Sequence, residues 1–183
     1  EGKFSEYIVL GHSQGALVAV LAAQQEAVSK VVSVAGASQS IGETIKKQLA
    51  IQPAVAQKAT PIIDSLASGQ RISHFPPELA SLFRPSILGF LMSWMAYEPT
   101  AEIGKLTVPC LVVQGTTDIQ VLLEDAQQLH KNAASSELLV IEGMNHVLKP
   151  APADRLENVV TYNEPELALS KGLVKGLVKF IGK

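Results

Sequence analysis

The pentapeptide GHSQG at positions 11–15 is the sequence feature that most constrains the fold of this chain. It lies between a short apolar run, residues 7–10, and an Ala-rich segment, residues 15–27, that favours a helix. A serine with glycine two residues away on each side is typical of a sharp strand-to-helix turn that leaves the hydroxyl exposed above a sheet. The pattern therefore predicts that Ser13 is a nucleophile and that neither of the two glycine positions can carry a bulky side chain.

A serine hydroxyl is a poor nucleophile at neutral pH and needs a base, which a carboxylate must orient. Asp118 closely follows the predicted strand at residues 110–113, and His146 closely follows the predicted strand at residues 137–141. Because the carboxyl ends of parallel strands meet at one edge of a sheet, we expect both side chains to reach Ser13. The sequence therefore predicts a triad of Ser13, His146 and Asp118.

Short apolar runs alternate with helix-favouring segments in most of the chain, which predicts an α/β fold with about four parallel strands and helices on both faces. A further strand is predicted at residues 31–35 and a helix at residues 122–131. Residues 41–98 break this rhythm with proline-punctuated helical pieces, so we predict one domain with a helical insertion there. A final helix is predicted over residues 166–181. Its predicted apolar face consists of Leu173, Leu177 and Ile181.

Charge and composition exclude several classes of function. The net charge of −2 gives no field to attract nucleic acid or an anionic membrane. Cys110 is the only cysteine, so an internal disulfide and a cysteine-rich zinc site are excluded, and its apolar surroundings predict a buried, unreactive thiol. The histidines lack metal-ligand spacing, so we expect no metal and no cofactor. His12 is expected to pack beneath the turn, with His74 and His130 exposed or at helix caps.

No stretch is long and apolar enough for a membrane span, and residues 1–15 show no signal pattern. We therefore expect a cytoplasmic protein whose partner is a small molecule.

Three segments together, residues 11–15, 114–118 and 143–146, resemble the nucleophile elbow, acid loop and histidine loop of bacterial α/β hydrolases. The similarity is greatest to the esterase-like branch grouped with serine aminopeptidases and monoacylglycerol lipases, and it extends over nearly the whole chain. Shorter similar stretches lie at residues 82–86, 93–94 and 145–149.

The resemblance implies a role for each matching residue. Ser13 would attack the acyl carbon, His146 would shuttle the proton and Asp118 would hold the imidazole, with the backbone N–H of Gln14 as one oxyanion donor. The implied reaction is hydrolysis of a carboxylic ester with a short or medium acyl chain through an acyl-enzyme. Amide or peptide hydrolysis is an alternative, because the same triad serves both reactions. A catalytically silent binding or assembly module is a third possibility.

The insertion at residues 41–98 resembles the lid that covers the acyl pocket in this superfamily. It carries many of the large apolar side chains, and we expect Trp94, Phe90 and Met95 to line the substrate pocket. A small satellite core of its own is an equally acceptable interpretation, and the two are compatible.

Only ten residues precede Gly11, whereas relatives place further strands and helices before the elbow. We therefore expect the C-terminal half of an α/β-hydrolase fold, without the loop that normally supplies the second oxyanion donor. Losing one such donor typically lowers turnover about 10²- to 10³-fold. The strand at residues 7–10 is expected to be an open edge, which predicts either a missing N-terminal half or a homodimer through that edge.

Overall fold

The computed structural model describes residues 4–25 and 27–182, and its centre is a four-stranded parallel sheet. The strands are β1 (Ile8–His12), β2 (Lys30–Val34), β3 (Cys110–Gly115) and β4 (Ser136–Ile141). They lie side by side in chain order, with Val9 opposite Val31 in the first pair and Val32 opposite Leu111 in the second. All four carboxyl ends therefore point to the same edge, and the predicted α/β fold is confirmed.

Nine α-helices accompany the sheet in the described part of the chain. They are α1 (Gln14–Ala23), α2 (Ile41–Leu49), α3 (Pro53–Ala67), α4 (Ala80–Phe83), α5 (Pro85–Met95), α6 (Pro99–Ile103), α7 (Leu123–Asn132), α8 (Arg155–Val160) and α9 (Leu173–Ile181). Single 3₁₀ turns lie at Pro77–Leu79 and Thr161–Asn163.

The two faces of the sheet carry separate apolar cores, because alternate residues of a strand point to opposite sides. One face packs against α1 and α7 through Val31 and Val112. The other packs against α9 through Val32 and Leu111. Helices on both sides thus bury the two inner strands, as a parallel sheet requires.

Two helix boundaries differ from the sequence-based prediction. The helix predicted over residues 15–27 ends at Ala23, and residue 26 lies outside the described residues. The last helix begins at Leu173 rather than at residue 166, because Gly172 precedes it in a left-handed conformation (φ 90°). Its buried face is formed by Leu173 and Phe180, and Ile181, which was predicted to share that face, is exposed.

The chain divides into two compact units, one with the sheet and one comprising residues 39–98. The second unit contains α2 to α5 and no strand, and it has an apolar core of its own around Phe83, Ile63 and Leu79. Pro61, expected to interrupt a helix, lies inside α3. That this unit serves as a lid stays a prediction. None of the described helices has the length and apolar character to cross a membrane.

Candidate active site

Ser13 is the single residue between the end of β1 and the start of α1. Its backbone has φ 55° and ψ −121°, a conformation that costs a non-glycine residue about 1–3 kcal/mol. The Ser13 N–H donates to the carbonyl of Val34 at the end of β2, at 2.8 Å, and this bond holds the turn in place. The Ser13 hydroxyl does not cap the helix, so it can point to a different partner.

The two glycines that flank Ser13 have different reasons to be there. A Cβ at Gly11 would overlap the carbonyl of Gly15 and come within 2.7 Å of the Ala16 nitrogen. At Gly15, by contrast, a Cβ would meet no atom of the described residues within 4 Å outside the turn's own backbone. A Cβ is therefore sterically excluded at Gly11 but not at Gly15, and the exclusion of bulky side chains at Gly15 stays a prediction.

The structure brings together the three residues that the sequence predicted as a triad. Nδ1 of His146 lies 2.8 Å from Oδ2 of Asp118, and Nε2 of His146 lies 3.0 Å from Oγ of Ser13. Asp118 and His146 are only 6% and 5% exposed, and Ser13 is half-buried. A continuous line of hydrogen bonds therefore runs from a buried carboxylate to the hydroxyl on the turn.

Asp118 is held by donors on both of its oxygens. Oδ1 accepts the backbone N–H groups of Gln120 and Val121, at 2.8 and 3.0 Å. Oδ2 accepts from His146 and also from Nε2 of Gln114, at 3.0 Å. Four donors thus fix the carboxylate, so that it can orient the His146 ring without turning away.

Gln114 is a residue of the site that sequence reasoning missed as a side chain. It lies at the end of β3 rather than in the loop, is fully buried, and also donates to the carbonyl of Val121 at 2.9 Å. An amide at the end of an otherwise apolar strand was the available signal. Gly115, the next residue, allows the acid and histidine loops to approach, because a Cβ there would overlap the carbonyl of Met144.

His12 does not pack beneath the turn as expected. Its ring is exposed, and its Nε2 lies 2.8 Å from the backbone carbonyl of His146. Since a carbonyl only accepts, that nitrogen must carry the proton. The other two histidines form hydrogen bonds elsewhere, His130 with Ser136 and His74 with its neighbour Ser73. Neither of these bonds involves the three candidate catalytic residues.

The remaining predicted residues are placed as follows. Gln14 begins α1, so its N–H belongs to the first turn, where N–H groups lack partners within the helix. Phe90 and Trp94 lie on α5 with ring centroids 5.7 Å apart, and Met95 is buried in the core of the helical unit. That these three residues line an acyl pocket stays a prediction.

Cys110 is buried at the start of β3, and this burial raises the pKa of its thiol to about 12. Among the residues that the structure describes, no three His, Cys, Asp or Glu side chains are grouped so that they could hold a metal.

Comparison with known proteins gives the chain a family. A model of the alpha/beta hydrolase family matches residues 2–159. Esterase EstD of Thermotoga maritima is 26% identical over 149 residues, and a proline iminopeptidase of Saccharolobus solfataricus is 31% identical over 75 residues. The matches cover 79% and 41% of this chain but only 35% and 23% of those two proteins.

Among solved structures, an alpha/beta hydrolase enzyme from the metagenome of sediments of the Mar Chica lagoon in Morocco is similar, with a TM-score of 0.51 at 15% identity. The match covers 89% of this chain and 63% of that one, and at this identity it supports the fold alone. The family match extends over most of the chain, including the turn at Ser13 and the loops of Asp118 and His146. The chain therefore belongs to the alpha/beta hydrolase family.

Proposed function

We propose that this chain carries the active site of a serine hydrolase that cleaves carboxylic esters with short or medium acyl chains. The observation that carries the proposal is the line of hydrogen bonds from Ser13 through His146 to Asp118, with links of 3.0 and 2.8 Å. Family membership and the similarity to an esterase support a hydrolytic reaction.

The proposal gives each proton a direction. Asp118 accepts the Nδ1 proton of His146, which leaves Nε2 of the ring as an acceptor beside the Ser13 hydroxyl. As Ser13 Oγ bonds to the acyl carbon, its proton passes to Nε2, and the imidazolium that forms is stabilised by the buried carboxylate. The Gln14 N–H, in the first turn of α1, would donate to the carbonyl oxygen as it gains charge.

Collapse of this tetrahedral intermediate breaks the bond to the alcohol oxygen, which takes the proton from Nε2. Water then enters, gives a proton to His146 and bonds to the acyl carbon. The second tetrahedral intermediate then collapses, the bond between the acyl carbon and Ser13 Oγ breaks, and Oγ takes the proton from Nε2, which releases the acid and restores the Ser13 hydroxyl. Each step uses only the proton that His146 carries, so no cofactor is required.

Amide hydrolysis is the second candidate, because one of the similar proteins is named a proline iminopeptidase. An amine leaving group depends more on protonation by His146 than a p-nitrophenolate does, and the triad itself does not decide between them. The test is a pair of substrates with the same acyl group, a p-nitrophenyl ester and a p-nitroanilide.

We expect faster release of p-nitrophenolate from the ester, fastest with short or medium acyl chains, and no turnover of either substrate by Ser13→Ala. Faster cleavage of the anilide would contradict the ester assignment and support the amidase. Absence of turnover of both in a folded sample would support a silent binding module.

A further inference from the structure

Asn158 on α8 is fully buried, and it connects two loops of the candidate active site. Its Nδ2 donates to the carbonyl of Thr117 and to the carbonyl of Pro152, both at 2.8 Å. Thr117 immediately precedes Asp118 in the acid loop. One of the two amide protons of Asn158 therefore forms a hydrogen bond with the acid loop, which carries Asp118.

The same helix end reaches the histidine loop. Nδ2 of Asn145, the residue before His146, donates to Oγ1 of Thr161 at 2.7 Å and lies 3.4 Å from Oδ1 of Asn158. The Thr161 hydroxyl in turn donates to the backbone carbonyl of Asn158 at 2.7 Å. Asn158 thus contacts Thr117, the neighbour of Asp118, and Thr161 contacts Asn145, the neighbour of His146. Asp118 and His146 are the two residues whose side chains lie 2.8 Å apart.

Burying an amide is unfavourable unless its polar groups find partners, so this arrangement is stable only when both loops keep their positions. We propose that Asn158 is a positioning residue that holds the acid loop at the distance from the histidine loop that the bond between Asp118 and His146 requires. Thr161 completes the connection on the histidine side. This inference rests on the proposed hydrolase function and adds α8 to the parts of the chain that serve it.

Asn158→Asp tests the inference, because it keeps the side-chain shape and replaces the donating nitrogen by an oxygen that faces two carbonyls. Since a displacement of about 1 Å in a catalytic group can lower turnover about 10²-fold, we expect kcat for a p-nitrophenyl ester to fall about 10- to 100-fold with KM little changed. Concentrations of active sites are set by fluorophosphonate titration, so that loss of folded protein does not count as loss of kcat.

Thr161→Val is the second variant, for the case that Asn158→Asp does not fold. It removes the nearer of the two acceptors of Asn145 Nδ2 while keeping the side-chain volume. We expect a smaller fall in kcat, and Thr161→Ser should restore kcat. Asn132→Asp is the matched control. Asn132 is an exposed asparagine whose Nδ2 donates to the Gln128 carbonyl, and its substitution should leave kcat unchanged.

A readout independent of turnover is the low-field proton resonance of His146 Nδ1–H, which its bond to Asp118 should produce and which Asp118→Ala should abolish. We expect this resonance to weaken or shift in Asn158→Asp. If Asn158 acts through Asp118, adding Asn158→Asp to the Asp118→Ala variant should lower kcat little further. An unaltered resonance and an unaltered kcat in both variants would overturn the inference, as would absence of the resonance from the wild type. Absence of wild-type turnover with the resonance still sensitive to Asn158 would instead overturn only the proposed function.

Discussion

Asp118→Asn changes the candidate site by one atom, and its effect follows from the donors that face the carboxylate. Two backbone N–H groups, of Gln120 and Val121, point at Oδ1, while His146 Nδ1 and Gln114 Nε2 point at Oδ2. Asparagine has one oxygen and one NH₂ group, so in either orientation its NH₂ must face two groups that donate in the wild type.

The two orientations differ in cost. With NH₂ at the Oδ1 position, two backbone N–H groups lose their acceptor, at about 1–3 kcal/mol for each buried donor. With NH₂ at the Oδ2 position, the His146 ring can move its proton from Nδ1 to Nε2 and accept a hydrogen bond from the new amide. Only the Gln114 N–H then loses its acceptor. The second orientation is therefore favoured, and it leaves His146 unable to accept the proton of Ser13.

In serine proteases with the same arrangement of groups, this substitution lowers kcat about 10⁴-fold, equivalent to about 5.4 kcal/mol in the activation barrier. We expect a loss of the same order in ester turnover, with the far-UV circular dichroism unchanged. The assay is initial-rate hydrolysis of a p-nitrophenyl ester at pH 7.5 with enzyme concentration checked by absorbance and light scattering.

Asp154→Asn is the matched control. Asp154 also accepts two backbone N–H groups, those of Leu156 and Glu157, as the N-cap of α8, and asparagine caps helices equally well. Its rate should stay within about twofold of wild type, since only a cap is exchanged. Retention of more than a tenth of the wild-type rate by Asp118→Asn would refute the assignment of Asp118 as the group that orients His146.

Three further predictions concern other parts of the chain. Gly11→Ala should abolish ester turnover or folding, because its Cβ would overlap the Gly15 carbonyl. Gly15→Ala should lose far less turnover, and equal losses in parallel assays would contradict the packing at this turn. Because burial raises the pKa of the Cys110 thiol to about 12, the folded chain should resist a disulfide reagent at pH 8 and react once unfolded in urea; rapid labelling of the folded chain would disagree. The edge of β1 opposite β2 carries no strand among the described residues, and we predict that a segment of a longer protein or a second copy of this chain pairs there; a monomer by light scattering with normal turnover would contradict both.

The meeting of the three candidate residues could be predicted from the sequence, because parallel strands place their carboxyl ends at one edge. Ser13, Asp118 and His146 each follow a short apolar strand, and that order alone predicted that they meet. The turn at Ser13 was equally clear, since glycine at position 11 has a steric reason that is local to the motif.

The side chains that position Asp118 and the acid loop could not be predicted, because their hydrogen bonds depend on how the loops after the strands fold. Gln114 stands at the end of an apolar strand, which indicates a buried amide, but the acceptor of that amide depends on where the Asp118 loop returns. Helix α8 is only six residues long, and although its apolar residues have helical spacing, all of them are exposed, so the pattern does not indicate that the helix buries Asn158; they are Leu156, Val159 and Val160. Asn158 was missed for that reason.

The central claim is that Ser13 is a nucleophile activated by His146, and its most direct test is covalent labelling with an alkyl fluorophosphonate. Attack by Ser13 Oγ on phosphorus expels fluoride, so the chain should gain the mass of the probe less hydrogen fluoride, and peptide mapping should place the adduct on Ser13. We predict one adduct per chain, none in Ser13→Ala and strongly slowed labelling in His146→Ala. A folded wild-type chain that remains unlabelled, or one labelled at a different residue, would contradict the claim.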